Sequence, residues 1–157
     1  MKHLLSALLA LTLFISCSPS EDKNETTDYT AQNDKEITDY IAKNNLTAQK
    51  SDTGLYYVIN DPGTGKQPTA TSNITVTYKG YLTNGFIFDE RTGDGIPLNL
   101  NEVIKGWTEG LQHLKEGGSA TLLIPAHLAY GNYPNGPIPP GSVVIFDVHL
   151  ISVNNNL

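Results

Sequence analysis

Residues 101–124 read NEVIKGWTEGLQHLKEGGSATLLI, and two structural periods meet inside this stretch. Val103, Ile104, Trp107, Leu111 and Leu114 recur at the spacing of one α-helical face. Asn101 is placed to cap the start of that helix and Gly117-Gly118 to stop it. Ala120 to Ile124 then reads as a strand, closed by Pro125. Strand signals flank the helix on both sides. Upstream, Leu55 to Ile59 is a short apolar run, followed by the turn residues Asp61-Pro62-Gly63-Thr64-Gly65. Ile74, Val76 and Tyr78 alternate with threonines, Asn84-Gly85 marks a hairpin before Phe86-Ile87-Phe88, and Leu98-Asn99-Leu100 alternates again. Downstream, Val144, Phe146, Val148 and Leu150 alternate within a run from Val143 to Val153. Most strands have one wet face, so the sheet has to cover the helix with its apolar side. The expected class is α+β, an antiparallel sheet of about five strands wrapped around one central helix, in a domain spanning residues 51–157.

Composition bounds the rest. The chain has 157 residues, 14 Gly, 9 Pro and one Cys, with a net charge of −6. One cysteine leaves no intramolecular disulfide framework and no multi-cysteine metal site. The acidic balance argues against nucleic acid as a partner. His113, His127 and His149 lack the spacing of a metal site, and Gly63-Thr64-Gly65-Lys66 lacks the rest of a phosphate loop. No cofactor and no metal are expected.

The single cysteine sits in a telling place. Lys2 is followed by the apolar run Leu4 to Ile15, too short to span a bilayer of about 30 Å and suited to a secretory signal peptide. Phe14-Ile15-Ser16-Cys17 then resembles the lipobox of bacterial lipoproteins, which implies cleavage after residue 16 and lipidation of Cys17. Ser18 is not the Asp of an inner-membrane retention signal, so the expected location is the outer membrane, with a periplasmic or surface face. Glu21, Asp22 and Glu25 weakly resemble surface-export signals. Residues 17–33 are polar and read as a flexible tether. Residues 34–50 read as a short helix and linker, with Asp34 as cap and Ile37, Tyr40 and Ile41 as one small apolar stripe for the domain or a partner chain. Between the last two strands, residues 129–141 hold Pro134, Pro137, Pro139 and Pro140, a stiff loop of the kind that often carries function.

Six stretches, in order, closely resemble the FK506-binding (FKBP) type of peptidyl-prolyl cis/trans isomerase. They are Val76-Thr-Tyr-Lys-Gly80, Gly85-Phe-Ile-Phe-Asp89, Val103-Ile-Lys-Gly-Trp-Thr-Glu-Gly-Leu111, Ile124-Pro-Ala-His-Leu-Ala-Tyr-Gly131, Ile138-Pro-Pro-Gly141 and Val144-Ile-Phe-Asp-Val148. The resemblance covers roughly residues 53–153. It implies an apolar cleft for proline with Trp107 as floor, lined by Tyr78, Phe88, Asp89, Val103, Ile104, Tyr130, Ile138 and Phe146. It further implies that the Ile104 N–H and the Tyr130 hydroxyl donate to substrate carbonyls and that Asp89 orients Tyr78. Leu98 and Leu100 stand where well-known eukaryotic members carry aromatics, so the wall at Leu98 is thinner here, and Pro137 replaces a common aliphatic residue. The implied partners are X–Pro segments of unfolded or loop polypeptide and macrolides such as FK506. The rival reading is a non-catalytic chaperone for proline segments, or an envelope-complex module docking through the 34–45 helix. Oligomeric state is not legible.

Overall fold

Alternation along the last strand organises the fold. The computed structural model of the chain describes residues 27–154. The proposed signal peptide, Cys17 and most of the expected tether lie outside the described residues. β6, Val144–Asn154, pairs antiparallel with both β3, Asn73–Leu82, and β5, Ser119–Ile124. β1 (Gln49–Lys50), β2 (Tyr56–Asp61) and β4 (Ile87–Asn99) complete a six-stranded antiparallel sheet of order β1-β2-β5-β6-β3-β4. The sixth strand beyond the expected five is the two-residue β1, too short and polar to leave a pattern. The two predicted runs at 86–88 and 98–100 are parts of one strand, β4, bent where its pairing with β3 shifts between Val76 and Tyr78. Asn84-Gly85 makes the hairpin turn, with Asn84 Oδ1 accepting from the Phe86 N–H at 2.9 Å.

Successive side chains of β5 and β6 go to opposite faces. Ala120, Leu122, Ile124, Val144, Phe146, Val148 and Leu150 pack on one side with Trp107, Leu111 and Leu114 from the helical segment. Leu123 and Ile145 form a second core on the other side with Ile37, Tyr56 and Val143. That second core is roofed by α1, Thr30–Lys43, whose Ile37 is completely buried and whose Tyr40 and Ile41 pack against it. The small apolar stripe therefore docks on the chain's own sheet, and the premise of the envelope-docking reading is gone. The helix starts earlier than Asp34. Residues 30–33, expected in the tether, form its first turn, and Asp28 Oδ1 accepts from the Thr30 N–H at 2.9 Å. Asp34 instead accepts from Lys50 Nζ at 2.6 Å and from the Tyr56 hydroxyl at 2.8 Å.

The central helix is shorter than its periodicity suggests. α2 spans only Lys105–Gly110 and tightens into a 3-10 turn over Leu111–His113. Asn99, rather than Asn101, organises its approach, accepting the Asn101 N–H on its side chain and the Glu102 N–H on its carbonyl, both at 3.0 Å. Val103 and Ile104 thus precede the helix, with Ile104 extended at ψ 147°. Two glycines set the helix against the sheet. A Cβ on Gly106 would lie 2.4 Å from Ile124 Cγ2, and one on Gly110 2.7 Å from Leu122 Cδ2. Gly110→Ala therefore tests the seat. Helix propensity alone favours Ala by about 1 kcal/mol, whereas overpacking costs about 1–3 kcal/mol. Urea unfolding of Gly110→Ala is expected to show net destabilisation; a gain in stability would mean that the close approach is absent.

Candidate active site

One concave surface gathers side chains from five parts of the chain. β3 supplies Tyr78, β4 supplies Asp89 and Leu98, and β6 supplies Phe146. The approach to α2 supplies Glu102, Val103 and Ile104, α2 supplies Trp107, and the loop after β5 supplies Tyr130. Together they line an open cleft of about 270 Å³. Its floor is an aromatic cluster. The Trp107 ring stands almost perpendicular to Tyr78 at 5.1 Å and to Phe146 at 5.2 Å between centroids, the edge-to-face geometry that aromatic quadrupoles favour. The indole is 4% exposed, and its Nε1–H has no acceptor among the described residues.

Polar groups are confined to the rim. The Tyr78 hydroxyl donates to Asp89 Oδ2 at 2.5 Å, and the other carboxylate oxygen accepts the Glu90 N–H at 2.9 Å. Asp89 is thereby fixed against both a side chain and its own strand. Burial first, and then the hydrogen bond to Asp89, push the Tyr78 hydroxyl up to about 12. Burial, aided by the Asp89 charge, also pushes Tyr130 up, so both phenols stay protonated donors at neutral pH. The carbonyl of Ile104 accepts from the Trp107 and Thr108 N–H groups at 2.9 and 3.2 Å. The Ile104 N–H itself has no acceptor among the described residues, which leaves it as a donor at the cleft.

Eight of the ten residues expected from sequence line this surface: Tyr78, Asp89, Leu98, Val103, Ile104, Trp107, Tyr130 and Phe146. Phe88 and Ile138 are not among the residues that line it. Phe88 props Phe146 from the side, centroids 5.4 Å apart and rings at 82°, and Ile138 is 3% exposed within the main core. Glu102 is the lining residue that sequence reasoning missed. Its only signal was its place directly before Val103. No group of three or more His, Cys, Asp or Glu side chains placed to hold a metal occurs among the described residues. The cleft offers no nucleophile; it offers an apolar floor, two oriented phenols, one backbone donor and two carboxylates.

Residues 64–151 match the model of the family described as FKBP-type peptidyl-prolyl cis-trans isomerase. The chain belongs to that family. It is 47% identical over 103 residues to a probable FKBP-type peptidyl-prolyl cis-trans isomerase FkpA of Neisseria meningitidis serogroup B, covering 64% of this chain and 38% of that one. It is 44% identical over 103 residues to the outer membrane protein MIP of Legionella longbeachae, covering 64% and 44% respectively. The crystal structure of FkpA from Escherichia coli superposes with a TM-score of 0.72 at 38% identity, over 80% of this chain and 61% of the other. The chain thus spans about two fifths of the length of the two sequence relatives. In FKBP terms, the fold expected from sequence is correct in class.

The Tyr78–Asp89 pair carries a pH signature. With its folded pKa raised above the unfolded value of about 10, Tyr78 contributes stability that is fully present below pH 10 and is lost as the pH rises towards 12. Alkaline titration of tyrosinate absorbance is expected to show one phenol missing from the high-pH end in Tyr78→Phe, together with a shallower loss of stability above pH 10. A Tyr78 that ionises with the exposed tyrosines would contradict the buried, carboxylate-bonded placement.

Proposed function

We propose that this chain is a peptidyl-prolyl cis/trans isomerase that assists the folding of exported polypeptides while anchored to the bacterial envelope by lipid on Cys17. The observation that carries the reading is the aromatic floor of Trp107, Tyr78 and Phe146 under a rim of fixed donors. The X–Pro bond turns over a barrier of about 18–20 kcal/mol without any bond being made or broken. Its planar form is the more dipolar, because resonance moves charge from nitrogen to oxygen; the twisted transition state has lost that resonance. An apolar cleft therefore desolvates the ground state at greater cost than the transition state. In this reading the Ile104 N–H and the Tyr130 hydroxyl would hold flanking carbonyls, while the bond to Asp89 keeps the Tyr78 hydroxyl from competing for them. A thousandfold acceleration needs only about 4 kcal/mol of differential binding.

The substrate class is an apolar residue followed by Pro in an unfolded or looped segment, and FK506-like macrolides would compete for the same floor. Leu98, half-buried on the cleft wall, leaves more room there than an aromatic residue would. For the location, the support is the signal-like run before Cys17, the MIP relative's name as an outer membrane protein, and a geometric limit. The Thr27 carbonyl accepts from Asn132 Nδ2 at 2.8 Å, next to the loop that carries Tyr130. Thr27 lies ten positions after Cys17, a reach of at most about 35 Å. A lipid on Cys17 would hold the cleft loop that close to the bilayer.

Relaxation of a cis-enriched Leu-Pro peptide tests the activity. The wild-type chain is expected to accelerate it, with losses of roughly tenfold or more, about 1.4 kcal/mol, in Trp107→Leu and Asp89→Ala variants that retain wild-type circular dichroism. A folded wild-type chain that leaves the relaxation rate unchanged would refute the isomerase reading in favour of a non-catalytic binder.

A further inference from the structure

Asn33 is a buried polar side chain with no part in the cleft. It lies in the first turn of α1, on the far side of the sheet from Trp107, and is 0% exposed. Its Oδ1 accepts from the Ala126 N–H at 2.9 Å, and its Nδ2 donates to the Gly141 carbonyl at 2.9 Å. Because a backbone N–H can only donate and a carbonyl only accept, both ends of the amide are matched and its orientation is fixed. Ala126 and Gly141 bound the loop that carries Tyr130. Within that loop the Gly131 N–H donates to the Ala126 carbonyl at 2.8 Å and the Gly141 N–H to the Gly131 carbonyl at 2.9 Å. One side chain from α1 therefore bridges the two ends of the segment that delivers Tyr130 to the cleft.

Two neighbours reinforce the bridge. Gly141 has φ +71°, a left-handed conformation that suits Gly, and a Cβ there would lie 2.4 Å from the Tyr29 ring. Asn132, two residues after Tyr130, donates to the Thr27 carbonyl. The other lining residues sit on β3, β4, β6 and the α2 segment, outside this set of bonds.

We propose that Asn33 is a positioning residue for the cleft: its amide fixes the separation of Ala126 and Gly141 and thereby the placement of Tyr130. The proposal rests on the isomerase reading above. A leucine at residue 33 could fill the same space beside Ile37, but it could not satisfy two buried backbone groups or set their direction. The amide makes the loop's geometry depend on α1 being docked. The segment that would lead from the envelope anchor is thus a working part of the active site.

The test uses the full chain in detergent, the Leu-Pro peptide and a set of variants. Asn33→Asp is isosteric and keeps the acceptor for Ala126 while setting a carboxylate against the Gly141 carbonyl; Asn33→Ala removes both bonds. Both are expected to lose roughly fivefold or more in kcat/KM at temperatures well below their unfolding transitions. Ile37→Ala, which loosens the apolar seat of α1 and leaves the amide in place, is expected to lower the unfolding temperature while changing kcat/KM less than about twofold. In a Tyr130→Phe background the Asn33 effect is expected to shrink, and in a Leu98→Ala background to persist in full, because only Tyr130 is reached through the bridged loop. Asn33 variants that are folded and match wild type, or that lose the same factor with Tyr130→Phe as without it, would overturn the positioning role. Inactivity of the wild-type chain would instead overturn the isomerase reading itself.

Discussion

The contact of α2 with β5 is the constraint from which the rest follows. Gly106 and Gly110, four residues apart on one helix face, leave no room for a methyl group against Ile124 and Leu122. That closeness brings Trp107, between them in sequence, into the core on the sheet's concave side, where its ring meets Tyr78 and Phe146 edge to face. A longer and better helix former at these positions would raise helix propensity and lift the indole off the sheet. The helix trades intrinsic stability for proximity, and the packing of Leu111 and Leu114 in the same core compensates for the weak segment.

The proposed isomerisation sets an unusual requirement. Turning a peptide bond transfers no atom, so such a site would work through a dry surface and donors that do not move. The polar inventory fits that need. Tyr78 is occupied by Asp89, Asp89 is pinned by the Glu90 N–H, and the Ile104 N–H stands at the start of a helix whose other end is wedged against β5. The back face of the sheet takes part as well. α1 closes the second core through Ile37 and, through Asn33, reaches the loop that carries Tyr130. Two cores on opposite faces of one sheet are in this way coupled to a single cleft.

What the sequence made legible was whatever repeats. The alternation at Val144, Phe146, Val148 and Leu150 and the face at Val103, Trp107, Leu111 and Leu114 gave the concave core, and the ordered motifs gave most of the lining. What it hid is local and non-repeating. β4 reads as two fragments because Glu90 to Gly95 is polar and glycine-bearing, yet the backbone runs on through a register shift. The start of α2 lies later than the periodicity indicates because Val103 and Ile104 keep helical spacing while the helix begins only at Lys105 and Ile104 is still extended. Asn33 was invisible in a run of polar residues, since nothing in TAQND distinguishes an amide that will be buried from one that stays wet. Glu102 escaped for a similar reason: a single carboxylate before an apolar pair carries no pattern.

The central claim is that Trp107 is the surface on which a substrate proline rests. Trp107 is the chain's only tryptophan, so one nuclear magnetic resonance experiment isolates it. Intermolecular Overhauser contacts would be recorded between a Leu-Pro peptide and the indole protons of the full chain in detergent. The account predicts contacts from the proline ring to the Trp107 indole, with the Ile104 amide shifting on binding. A peptide that binds without contacting the indole, or whose proline is found against another face of the sheet, would contradict it.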